Sequence, residues 1–129
     1  MSMQSVSRAL ALFLLIVSAA GNVFAGDLSF TIKQPFKVGS KNYPAGHYRI
    51  LADIDSDHIN ILNLDRKTDD DLKFVTRLSQ REGEWGEVVF DEAGNGLSLA
   101  EVYIVGMDGF MLEGAQGKHK HLVIREDIK

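Results

Sequence analysis

The stretch His47-Tyr48-Arg49-Ile50-Leu51-Ala52-Asp53-Ile54-Asp55 decides the fold class. Tyr48, Ile50, Ala52 and Ile54 fall on one side of an extended chain, with His47, Arg49, Leu51 and Asp53 on the other. Alternation with period two is the mark of a strand with one face buried. The same period spreads outward. In residues 30–38 the even positions are mostly apolar, with Lys33, Pro35 and Lys37 opposite. Proline cannot donate to a sheet ladder, which predicts an edge strand or a bulge at Pro35. Residues 39–46 contain Tyr43-Pro44-Ala45-Gly46 and read as a turn. Downstream, Ile59 and Ile61 give way to Leu62 and Leu64, a one-residue phase shift of the kind a bulge makes. Residues 65–71 read as a polar loop, and Leu72, Phe74, Thr76 and Leu78 as a further strand. Arg81-Glu82-Gly83-Glu84 reads as a hairpin turn before a strand at 85–90, and residues 91–96 as another turn. Residues 97–105 are apolar on both faces, 106–109 turn the chain, and 119–125 form a last strand. About eight short strands and no sustained helical period predict an all-β fold, a small antiparallel meander forming a barrel or barrel-like sandwich. The bulky set Phe30, Phe36, Tyr48, Phe74 and Phe90 predicts a filled interior.

At the N-terminus the pattern changes. Arg8 precedes the apolar run Ala9-Leu10-Ala11-Leu12-Phe13-Leu14-Leu15-Ile16-Val17, and Val23-Phe24-Ala25 has the small-x-small form of a cleavage site. Residues 1–25 therefore read as a secretory signal peptide, too short in its apolar run for a comfortable membrane span. The expected organisation is a signal peptide over 1–25 and a single domain over 26–129, exported to a periplasm or beyond. Removing the signal takes one charge, Arg8, so the net charge moves from −4 to −5 over the remaining 104 residues. An acidic chain does not suit sequence-independent nucleic-acid binding. No stretch of the mature chain reads as a membrane span. The absence of cysteine excludes a disulfide scaffold, a thiol nucleophile and a cysteine-ligated zinc site.

Pro35-Phe36-Lys37-Val38-Gly39, followed by Tyr43-Pro44-Ala45-Gly46-His47-Tyr48-Arg49-Ile50, resembles a pattern of Pro-Phe-x-Val, a short turn and Pro-Ala-Gly-x-Tyr. That pattern belongs to an uncharacterised family of small secreted bacterial β-domain proteins, with Tyr43 standing where leucine is usual. Val88-Val89-Phe90, Leu99-Ala100-Glu101-Val102, Gly106-Met107-Asp108-Gly109-Phe110 and the His119-x-His121 ending extend the resemblance over most of residues 28–124. It implies a compact secreted β-domain and no reaction.

The chemistry-bearing motifs are few. His119-Lys120-His121 places two imidazoles on one side of a strand, where both can meet one Zn²⁺ or Cu²⁺ ion. That ion is the only cofactor the sequence suggests. The third ligand is not evident, though His47, His58 or an aspartate could arrive by folding, and Lys118 and Lys120 work against a cation. Asp53-Ile54-Asp55-Ser56-Asp57 begins like a calcium loop but carries His58 and Leu64 where that loop needs glycine and glutamate, so a turn explains it. Asp69-Asp70-Asp71 reads as a solvated loop. Trp85, between Gly83-Glu84 and Gly86, offers a stacking face, and with Tyr103 and Asp108 makes a candidate rim for a small-molecule or protein ligand. The two-faced apolar segment from Leu97 to Leu112 suggests either burial within the domain or a homo-oligomer contact. No nucleophile elbow, phosphate loop or zinc-protease motif is present. A non-enzymatic binding or structural module is the first expectation. A metal-binding protein using His119 and His121 comes second, and a small hydrolase or isomerase with a carboxylate pair last.

Overall fold

The computed structural model describes residues 26–55, 57–94 and 96–128. The expected signal peptide at 1–25 lies outside the described residues. The fold is all-β, with eleven strands among the described residues: β1 (Gly26–Ile32), β2 (Phe36–Val38), β3 (Lys41–Tyr43), β4 (Gly46–Ala52), β5 (His58–Asn63), β6 (Thr68–Lys73), β7 (Thr76–Leu78), β8 (Glu87–Ala93), β9 (Gly96–Tyr103), β10 (Gly109–Met111) and β11 (Lys120–Arg125). The excess over eight comes from the three-residue strands β2, β3 and β7. Two sheets form, one ordered β1-β4-β5-β6 and the other β11-β8-β9-β10-β7, with β2 bridging β9 and β3. A curled half-barrel facing a second sheet is the barrel-like form that the alternation predicts. Among the described residues no helix is long and apolar enough to cross a membrane.

The interior is filled by aromatic rings. Phe30 stacks on Tyr48 at 5.6 Å, and Phe36 meets Phe90 edge-on at 5.2 Å, all four buried. Phe74 is only partly buried and packs on Phe110 at 4.9 Å. Offset and edge-on pairs of this kind add about 0.5–1.5 kcal/mol each beyond the area they bury. The tail closes one seam between the sheets. Asp127 N–H donates to the Ser29 carbonyl, and Thr31 Oγ1 donates to the Asp127 carboxylate.

Several local expectations change for identifiable reasons. Pro35 is neither in an edge strand nor at a bulge. It sits at the corner where the chain leaves the first sheet after Ile32 and enters the second at Phe36. β4 ends at Ala52, so Ile54 lies in the following turn and is exposed. β5 has no bulge. Its alternation runs straight through Ile59, Ile61 and Asn63, and the inward position that Leu62 would have taken belongs to Asn63. That amide is satisfied in place: its oxygen accepts the N–H groups of Asp65 and Arg66, and its nitrogen donates to the Tyr48 hydroxyl. Residues 68–71 are a strand, not a loop, because pairing with β5 outweighs three adjacent carboxylates. The 79–86 segment is not a hairpin, since β7 pairs with β10 and not with β8.

The bulge lies in β9. Val89 faces Glu101 while Phe90 faces Leu99, leaving Ala100 as the extra residue. One inward face therefore runs Leu97, Leu99, Val102, Ile104, changing phase at Ala100, and all four belong to a single core. The two apolar faces read from this segment are one face with a bulge in it. The segment after β10 folds back over the outer face, its Leu112 N–H donating to the Ala100 carbonyl at 2.7 Å.

Candidate metal centre

β8 and β11 pair antiparallel with His121 opposite Asp91, Val123 opposite Val89 and Arg125 opposite Glu87. Leu122 and Ile124 pack against the core, so His121 and Asp91 share the outer face by alternation. His119, two residues earlier, arrives on the same side, and its ring lies 5.2 Å from that of His121 at an interplanar angle of 27°. Among the described residues, Asp91, His119 and His121 form a group in which one ligand atom from each lies within 4.8 Å of the others.

The geometry at Asp91 is specific. Its side chain is only 10% exposed. Oδ2 accepts the Ala115 N–H at 3.0 Å. Oδ1 faces His119 Nε2 at 3.4 Å and His121 Nε2 at 3.6 Å. Both separations exceed the N–H···O range of about 2.7–3.2 Å. They match instead the edge of a tetrahedron of ligands, about 3.3 Å when each ligand lies ~2.0–2.1 Å from the ion. His119 Nδ1 lies 2.9 Å from the Gly117 carbonyl. A carbonyl only accepts, so that nitrogen carries the hydrogen and Nε2 is the atom presented to Asp91. Backbone fixation of the remote ring nitrogen is the usual second layer around a metal-binding histidine.

Strand alternation sends Lys120 to the face opposite His121. Lys118 is exposed and shares with Glu92 and His119 the lining of a hollow of about 520 Å³ beside the imidazole. Lys120 also lines that hollow, so both lysines lie beside His119. Asp91, the third member of the group, lies in the 91–96 stretch read as a turn. Pairing the last strand with the 87–93 strand would have identified it, because polar positions then fall opposite one another.

Trp85, Tyr103 and Asp108 lie away from this cluster. Trp85 is 45% exposed and carries the Arg125 guanidinium over its ring at 4.8 Å. Tyr103 donates to Glu101 Oε1 and lies under the Arg81 guanidinium, 3.8 Å from its ring centre. Burial and the neighbouring Glu101 carboxylate raise its pKa. Arg81 also pairs with Glu87 at 2.6 Å, so Tyr103 serves to pin the 79–86 segment to the sheet. Asp108 is exposed in the turn between β9 and β10.

Comparison with family models, with curated proteins and with solved structures finds no match for this chain.

Proposed function

We propose that this chain is an exported, non-enzymatic binding module whose ligand is a transition-metal ion of the Zn²⁺ or Cu²⁺ class, held by Asp91 Oδ1, His119 Nε2 and His121 Nε2. One observation carries the reading. A buried carboxylate oxygen faces two imidazole nitrogens at 3.4 and 3.6 Å, while the outer nitrogen of His119 and the other carboxylate oxygen are committed to backbone partners. A nearly buried carboxylate is favoured by a nearby positive charge, which a bound metal ion would supply. Imidazole with a single carboxylate suits Zn²⁺ and Cu²⁺ better than calcium or magnesium, which want an all-oxygen shell. Three protein ligands leave at least one coordination position for solvent or an incoming group. The signal-like 1–25 segment supports export, where such an ion would be met outside the reducing cytosol. Most bulky side chains of the apolar segment 97–112 lie in the core, while Val105 is exposed.

The test is metal analysis of protein purified without chelators, followed by calorimetric titration with Zn²⁺ and Cu²⁺. The expected result is one ion per chain, with His119→Ala and His121→Ala each weakening binding by more than about tenfold. Equal metal content in the wild type and the double variant removes the reading.

A further inference from the structure

We infer that Gly114 is a positioning residue for this centre, the one that makes Asp91 a single-oxygen ligand; the inference rests on the metal-binding reading above. The segment after β10 is tied to β9 by the Leu112 N–H, which donates to the Ala100 carbonyl at 2.7 Å. It then crosses the outer face directly above Asp91. Gly114 has φ of +65°, in the left-handed region that favours glycine. A Cβ there would lie 3.3 Å from the Ala100 Cβ and collide with Asp91 Oδ2. The missing side chain lets the next residue, Ala115, bring its N–H to Asp91 Oδ2 at 3.0 Å. Two residues further, the Gly117 carbonyl receives His119 Nδ1. One backbone segment therefore orients two of the three ligands. It occupies Oδ2, directs Oδ1 at the two Nε2 atoms, and denies the ion the bidentate carboxylate grip that calcium favours. The bulge at Ala100 is part of the same device, because the small side chain there lies directly beneath Gly114.

The inference predicts that Gly114→Ala weakens Zn²⁺ binding about tenfold or more while all three ligands remain in the sequence. Gly106→Ala is the control. Gly106 has φ of +86° and open space around its Cβ position, so it carries the same backbone penalty without touching Asp91. Gly114→Asn, which tolerates a left-handed backbone but still brings a Cβ against Asp91, separates collision from strain and takes the place of Gly114→Ala if that variant does not fold. Each protein is titrated with Zn²⁺ by calorimetry and with Co²⁺ by visible absorption. The metal-free thermal midpoint is read alongside. Support takes the form of weakened Zn²⁺ binding and a less intense, shifted Co²⁺ spectrum in both Gly114 variants, with Gly106→Ala binding as the wild type does. Wild-type affinity and an unchanged Co²⁺ spectrum in the Gly114 variants would overturn the positioning role and leave the metal reading intact. Failure of the wild type itself to bind Zn²⁺ would overturn the metal reading, and the positioning role with it.

Discussion

Both sheets place histidine beside aspartate, but they do so differently. On the first sheet His47 Nδ1 meets Asp65 at 3.0 and 3.2 Å, and both side chains are about half exposed. His58 Nδ1 meets the neighbouring Asp57 at 3.2 Å, again in solvent. These are exposed contacts, and His58 Nε2 also faces Asp71 Oδ1 at 3.8 Å. On the second sheet one buried carboxylate serves two imidazoles, both through Nε2 and both too distant for a direct hydrogen bond. Proximity of histidine to aspartate is thus common in this molecule and says little. What sets the second-sheet group apart is a recessed carboxylate whose second oxygen accepts a backbone N–H, beside an imidazole anchored through its other nitrogen.

The sharpest way to break this contrast is Asp91→Asn, expected to reduce Zn²⁺ affinity about 100-fold or more, against Asp65→Asn, expected to leave it unchanged; parallel calorimetric titrations measure both. Next in size is ligand-linked stabilisation. At Zn²⁺ about 100-fold above its dissociation constant the folded state gains about 2.7 kcal/mol. Thermal melts with and without Zn²⁺ are expected to show that gain in the wild type and in His47→Ala, and to lose it in His121→Ala. Acid separates the two sheets further. Protons compete with the ion for imidazole lone pairs, so the Zn²⁺-dependent stabilisation shrinks as the pH falls. On the first sheet the Asp65 carboxyl is held below its ordinary range by the His47 N–H and then by the His47 ring, and Asp70 by Lys41 and by the Tyr43 hydroxyl. A depressed carboxyl stabilises the fold above its unfolded pKa, and that contribution is lost as the pH falls through the lower folded value. The smallest effect is therefore the stability deficit of Asp65→Asn, present at neutral pH and closing only below about pH 4. Denaturant melts across this range follow it.

Alternation carried the fold a long way. Tyr48, Ile50 and Ala52 pointed inward as the period required, and the ring set Phe30, Phe36, Tyr48 and Phe90 filled the interior. What the period could not resolve was where its phase slips. Leu62 and Leu64 imitate a bulge because Asn63, a polar residue, takes the buried position and satisfies its amide locally. The real bulge at Ala100 passes for a strand with two apolar faces, because a small residue offers no phase of its own. The histidine pair was visible because residues two apart on a strand share a face. Asp91 was not, because its place beside His121 depends on the pairing of β8 with β11, thirty residues on. Gly114 looked like one turn glycine among several, and its role emerges only from what lies beneath it.

The most direct test of the central claim is anomalous diffraction at the zinc absorption edge from crystals grown with Zn²⁺. The account predicts a peak about 2.0–2.2 Å from Asp91 Oδ1, His119 Nε2 and His121 Nε2, with Asp91 Oδ2 still bonded to the Ala115 N–H. A peak confined to His47 or His58, or ligation of the ion through His119 Nδ1, would contradict it.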